Sequence, residues 1–216
     1  MSTLGDMKTR IAEETTRDDL LSSGAIEREI RSAIRFYSAF RFWFNEKRTQ
    51  VTFNTVSGQS TYTGADDADI PNLMRIDYAL VEYQGRQISL KYATPEQIEV
   101  WTGSISAVLN PPTFYNYYEK ELRFYPIPDD AYAVRVAGVI RLPAPQNDTE
   151  ADNPWMSDAE EMIRARATRQ LYLTNFFGSE QGMVAAFAQM EAEALDRLRI
   201  ETSSRSQVRT VRSHNL

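Results

Sequence analysis

An α+β fold is predicted by three features of the chain: apolar spacing of three to four residues at both ends, spacing of two in the middle, and turn-forming pairs that join the middle segments at short range. Leu4, Met7 and Ile11 near the start, and Met183, Phe187, Met190, Ala194 and Leu198 near the end, recur at helical intervals. Between residues 49 and 142 the period shortens, as in Val51, Phe53 and Thr55, and loops such as Gln84-Gly85 imply adjacent antiparallel strands. Residues 1–48 and 153–203 are predicted to form one antiparallel helical bundle drawn from both chain ends. The antiparallel β region, 49–142, is then an insertion, 143–152 a polar, proline-containing linker, and 204–216 a basic, extended C-terminal tail.

The elements follow in order. Thr3-Leu4-Gly5-Asp6 has capping-box spacing and starts a helix of about three turns that stops near Asp18-Asp19. Ser22-Ser23-Gly24 offers N-caps for a second helix over 25–46. Ser57-Gly58-Gln59 is a turn between two short strands, and the strand from Met74 to Leu80 alternates Met74, Ile76, Tyr78 and Leu80 against Arg75, Asp77 and Ala79. Gln84-Gly85 returns it into a strand over 86–92. Thr94 caps a short helix over 95–103, with Pro95 at its first position. A hairpin over 113–125 turns at Glu119-Lys120, and a long strand over 132–142 directs Tyr132, Val134, Val136 and Ile140 to one side. These strands predict an antiparallel sheet or small sandwich. Ser157-Asp158-Ala159-Glu160 has capping-box spacing for a helix of about twenty residues, and Gly178-Ser179 interrupts the pattern before the last helix.

Six aromatic residues fall within nine positions of the second predicted helix: Phe36, Tyr37, Phe40, Phe42, Trp43 and Phe44. On a helix they cover an arc too wide for one small core, and each ring left wet forfeits roughly 1.5–3 kcal/mol of burial. Phe36, Phe40, Phe42, Trp43 and Phe44, with Tyr172 and Phe176 from the penultimate helix, are therefore candidates for contacts between copies; burial inside one molecule is the competing reading.

Composition bounds the function. A chain of 216 residues has room for a real core, and its apolar and charged fractions, 42% and 25%, are those of a soluble globular protein. With no cysteine it can form neither disulfides nor thiolate metal sites. Charged residues from Asp6 to Glu14 stand where a signal peptide needs an apolar stretch, and no span of about 18 apolar residues occurs, so a soluble cytoplasmic product and no membrane contact are expected. The net charge of −6 argues against nucleic-acid binding by the whole surface. The last thirteen residues differ, carrying Arg205, Arg209 and Arg212 and no side-chain carboxylate.

Signatures of catalysis are missing. The single histidine, His214, is near the chain end, and there is no phosphate-cradling glycine loop, no Gly-x-Ser-x-Gly and no His-Glu-x-x-His. Asp66, Asp67 and Asp69 lack EF-hand spacing and are read as a solvated acidic loop. Glu119 with Glu121, and Asp129 with Asp130, sit at predicted turns where acidic residues are common. No catalytic residue, cofactor or metal is therefore predicted. The alternative is a protein that binds or hydrolyses carbohydrate through its β region, with Trp101, Tyr115 and Tyr117 as exposed stacking surfaces.

The order of certain segments resembles bacteriophage head-to-tail connector proteins, the adaptor family. The resemblance rests on Ala33-Ile34-Arg35-Phe36-Tyr37 running into Arg41-Phe42-Trp43-Phe44-Asn45-Glu46, on Gly58-Gln59-Ser60-Thr61-Tyr62 and on Met74-Arg75-Ile76-Asp77. It continues through Pro95-Glu96-Gln97-Ile98 and Pro112-Thr113-Phe114-Tyr115 to Leu122-Arg123-Phe124-Tyr125-Pro126-Ile127-Pro128-Asp129. It implies a non-enzymatic virion protein at the head-tail interface, assembled in the host cytoplasm. It further implies a homo-oligomeric ring of about twelve copies, joined to the portal protein on one side and a tail or nozzle protein on the other, with double-stranded DNA passing transiently through a central channel. By the same resemblance the C-terminal segment docks on the portal. Val208, Val211 and Leu216 would then enter apolar pockets while Arg205, Arg209 and Arg212 meet carboxylates.

Overall fold

The computed structural model describes residues 2–103, 108–175 and 180–206. The fold is α+β and divides into two compact units, Met1–Phe44 with Pro143–Leu216, and Asn45–Leu142.

In the helical unit, α1 (Leu4–Thr15) opens on a capping box: the Thr3 hydroxyl accepts the Asp6 N–H at 3.2 Å and the Thr3 N–H donates to the Asp6 carboxylate at 2.9 Å. The Thr3 N–H foremost, and then the Thr3 hydroxyl, which also reaches the carboxylate at 2.9 Å, hold the Asp6 carboxyl below its ordinary pKa. Leu4, Met7 and Ile11 are buried, as their spacing requires. The helix ends where Thr16 enters the left-handed region at φ 51°, and a short helix that the sequence did not signal, α2 (Asp18–Ser22), follows. Gly24, at φ 69°, then turns the chain into α3 (Ala25–Tyr37), which buries Ile26, Ile30, Ala33, Ile34 and Tyr37. After the linker come α5 (Pro154–Ser157), α6 (Glu160–Asn175) and α7 (Gln181–Ser206); α4 (Pro95–Gly103) belongs to the other unit. α6 packs against both α3 and α7.

The helix that was to run over 25–46 stops at Tyr37. Beyond it Phe42 and Phe44 are buried, Phe44 within a 3-10 turn at Trp43–Asn45 that leads into strand. Ser157 does not cap α6: its hydroxyl contacts the Asn153 carbonyl at 3.4 Å and Asp158 at 3.0 Å. The cap lies at the short helix ahead of it, α5, where the Asn153 side chain accepts the Trp155 N–H at 3.1 Å and Pro154 is placed where no donor is needed. Finally, residues 204–206, assigned to the extended tail, continue α7.

The β unit consists of two four-stranded sheets. One has the order β1 (Glu46–Asn54), β8 (Ala133–Ile140), β3 (Leu73–Tyr83), β4 (Arg86–Ser89), all antiparallel. In the other, β2 (Thr61–Tyr62), β7 (Glu121–Tyr125) and β6 (Phe114–Tyr118) pair antiparallel and β5 (Lys91–Tyr92) joins β6 in parallel. Side chains from both sheets share one core, including Val51, Ala79, Val81, Val134 and Val136 from the first and Tyr62, Tyr115, Leu122 and Phe124 from the second. The arrangement is a small sandwich. The strand expected over 86–92 breaks at Leu90, because its first half pairs within one sheet and its second half with the other. Gln84 and Gly85, both at positive φ (51° and 72°), make the two-residue hairpin, as do Glu119 and Lys120 (53° and 64°). Thr94 and Gln97 form a reciprocal cap on α4 (Pro95–Gly103), at the predicted bounds.

Alternation along β3 does not hold throughout. Leu73 is buried, but the register shifts between Leu73 and Arg75 and again between Ile76 and Tyr78, so that the inward-facing parity is inverted and Ala79 and Val81 become the core residues while Tyr78 is exposed.

Burial raises the pKa of Tyr37 and Tyr172 in the helical unit and of Tyr62, Tyr115 and Tyr117 in the β unit. A tyrosine whose folded pKa exceeds its unfolded value of about 10 stabilises the fold fully below that pH and ceases to do so as pH rises through the folded value. Titration into strong alkali is therefore expected to unfold the protein, tyrosinate absorbance appearing together with loss of circular dichroism. Full tyrosine ionisation with an unchanged dichroism spectrum would refute this.

Candidate assembly surface

The aromatic cluster is built where α3 ends. Tyr37 contacts Phe36 and Phe40 with ring centres 5.0 and 5.5 Å apart, Phe42 stacks on Phe44 at 5.2 Å, and the buried Trp155 of α5 meets both Phe42 and Phe44 edge-on at 6.2 and 5.3 Å. Phe42 and Phe44 thus both turn inward onto Trp155. Of the predicted inter-copy contacts, Phe42, Phe44 and Tyr172 are buried within the chain, Tyr172 stacking on Phe187 at 5.8 Å. Phe36 is exposed, at 46%, and Phe40 and Trp43 are half-buried. Phe176 lies outside the described residues.

Two arginines cover the accessible rings. The Arg166 guanidinium lies 3.6 Å from the centre of Phe36, and that of Arg205 lies 3.7 Å from the centre of Trp43 while pairing with Glu201 at 2.5 Å. Arg205, assigned to a docking tail, is thus occupied at the end of α7; Val208, Arg209, Val211, Arg212 and Leu216 lie outside the described residues. The Trp43 N–H also donates to the buried Thr202 hydroxyl at 3.1 Å, which ties the end of the aromatic segment to the last turns of α7.

Sequence reasoning missed the polar centre of this unit. Glu191 stands on the buried face of α7 between Phe187 and Ala194, 7% exposed. Its carboxylate accepts the Tyr37 hydroxyl at 2.5 Å and Arg166 at 2.8 Å, with Arg169 3.1 Å away. Desolvation first, and then the carboxylate that holds its proton, push the Tyr37 pKa well up. The available signal was a glutamate at apolar helical spacing, together with two arginines three residues apart on α6. Arg166 couples this centre to the surface, since the same guanidinium that meets Glu191 lies over exposed Phe36. Leu173 of α6 and Met183 and Ile200 of α7 are further exposed apolar side chains of the unit.

The stacking surface proposed for carbohydrate is not present. Tyr115 is 7% exposed within the sandwich core. Tyr117 packs on that core, and its hydroxyl shares its one proton between the Ile70 and Leu73 carbonyls, 2.9 and 3.0 Å away. Trp101 is engaged by Phe114 and Tyr125, centres 5.0 and 5.1 Å away. The acidic loop spends its carboxylates on its own shape: Asp66 accepts the Thr63 N–H, Asp67 the Thr52 and Asp69 N–H groups, and Asp69 the Gln50 amide. Among the described residues no cluster of His, Cys, Asp or Glu could hold a metal ion, and no helix is long and apolar enough to cross a membrane.

Compared with known families, residues 2–213 match the family model described as SU10 adaptor protein. No curated protein matches the chain.

Proposed function

The chain belongs to the SU10 adaptor protein family, and from that premise we propose that this structural phage protein forms a ring of identical copies beneath the portal and joins it to a tail or nozzle component. The match over nearly the whole chain carries the reading. α1, α3, α6 and α7 form an antiparallel bundle whose exposed apolar residues, Phe36 foremost, face the neighbouring copy. The ring numbers about twelve copies and encloses a channel for double-stranded DNA. A net charge of −6 suits this role, because a channel wall without phosphate-neutralising cations lets duplex slide instead of holding it.

Residues 207–216 dock on the portal, with Val208, Val211 and Leu216 as apolar anchors and Arg209 and Arg212 meeting carboxylates. Ordering such a segment costs chain entropy, which many copies on one ring offset through effective concentration.

Negative-stain imaging of the purified chain with and without portal tests the proposal. Rings are expected on the portal, and a chain truncated after Ser206 is expected to lose attachment while its circular dichroism stays that of the full chain. Attachment unchanged by the truncation removes the tail from the mechanism, and absence of rings with portal present removes the ring.

A further inference from the structure

A cleft of about 520 Å³ lies on the outer face of the second sheet, between α4 and the β6–β7 hairpin. It is lined by Glu96 and Glu99 of α4, by Glu119 at the hairpin turn, by Glu121 and Arg123 of β7, and by Asn116 and Tyr118 of β6. Four carboxylates thus surround one guanidinium, and that guanidinium is taken: Arg123 donates to Glu99 at 2.6 Å. Tyr118, at 60% exposure, presents an open ring on the same side.

The cleft also contains a buried group that lacks a partner. Asn116 is 1% exposed, and the pleat sets its direction: Tyr115 and Tyr117 turn into the sandwich core, so Asn116 turns to the opposite face, toward the cleft it lines. Its amide nitrogen donates to the Ala93 carbonyl at 2.8 Å, which fixes the other end of the group as the oxygen. That oxygen is shielded from water and receives no hydrogen bond. A buried acceptor in this condition costs about 1–3 kcal/mol, so it is a place where a donor is wanted.

We propose that this cleft receives an arginine side chain presented by a partner protein. The carboxylates supply the opposite charge, the Tyr118 ring a face for a flat cation, and the Asn116 oxygen an acceptor for an N–H drawn in beside them. The carboxylates are distributed around the cleft, and among the described residues they form no group able to share a metal ion. A planar guanidinium with five N–H donors can span such a spread, which a bare ion cannot. The volume also exceeds what a single guanidinium fills, so the side chain arrives with part of its peptide.

The test uses the isolated full-length chain and is independent of ring formation. Acetyl-arginine-amide is titrated in by NMR and the Asn116 side-chain amide is followed, with acetyl-citrulline-amide, the neutral near-isostere, as control. The arginine compound is expected to give saturable shifts of the Asn116 amide and the citrulline compound none. Glu121→Gln and, separately, Glu96→Gln are each expected to weaken the binding by about fivefold or more, as loss of a charge-assisted bond does; Glu96 is exposed and Glu121 half-buried, and the dichroism spectrum verifies that each variant keeps its fold. Equal shifts from the two compounds, no saturation with arginine, or unaltered binding in both folded variants overturns the proposal.

Discussion

Gly138→Ala is expected to lower the stability of the β unit by about 3 kcal/mol or more, the upper part of the range for overpacking a closed site. β8 is an inner strand, paired on one side with β1 and on the other with β3. Gly138 stands opposite Lys47 on one neighbour and Ile76 on the other, and the register shifts immediately beyond both pairs. A Cβ at this position would lie 2.0 Å from the Arg75 carbonyl oxygen and 3.0 Å from the Ile76 Cα. Those are backbone atoms of a paired strand, so no rotamer change relieves the clash. Either β3 separates from β8 or the bulge is rebuilt, and rebuilding it by one residue would turn Ala79 and Val81 out of the core. Hydrogen exchange should show the loss of protection concentrated in β3 and β8. Gly182→Ala is the control of opposite sign: nothing lies within 4 Å of a Cβ there, and alanine in α7 is favoured over glycine by up to about 1 kcal/mol. A Gly138→Ala protein as stable as the parent would mean that β3 does not approach this closely.

The same residue shows where sequence reading stopped. Signals complete within a few residues were legible, as with the Thr3–Asp6 box, the Gln84-Gly85 turn and the Thr94-Pro95 start of α4, because the partners that satisfy each backbone group lie within one turn. The inversion along β3 was not, since nothing near Tyr78 reports that Gly138, some sixty residues away, admits the bulge. The aromatic run misled for a related reason. The run reads as one helical arc, but the chain leaves the helix at Tyr37 and passes through a turn into a 3-10 segment, where Phe42 and Phe44 both meet Trp155, a partner far along the chain. Much of the surface that suggested neighbouring copies is thereby used internally, which leaves Phe36 as the most accessible ring of the set. Glu191 was legible as an anomaly on an apolar stripe, but its meaning required three partners on two other helices.

That carboxylate carries the second large effect. Glu191→Ala is expected to destabilise the helical unit by about 3–5 kcal/mol, because it removes one charge and leaves two half-buried guanidiniums and a buried phenol facing a void. The loss exceeds what the ion pairs would contribute if exposed, since a surface pair contributes about 1 kcal/mol or less. Tyr37→Phe isolates the smallest part: it deletes a single hydroxyl, and about 1 kcal/mol is expected. Glu191→Gln should fall between, retaining an acceptor but no charge. The double substitution Tyr37→Phe with Glu191→Ala is expected to cost less than the two single losses added, because the phenol no longer lacks an acceptor; strict additivity would mean that the two side chains do not interact. The effect should also be local. Exchange protection is expected to fall in α3, α6 and α7 while the sandwich strands keep theirs, as follows from two units with separate cores. Glu191→Ala further releases Arg166 from its carboxylate, so the guanidinium over Phe36 loses its anchor and the one widely exposed ring of the cluster loses its cover. A ring that assembles through this face should therefore weaken in Glu191→Ala beyond what Tyr37→Phe produces, and equal assembly by the two variants would place the contact between copies elsewhere.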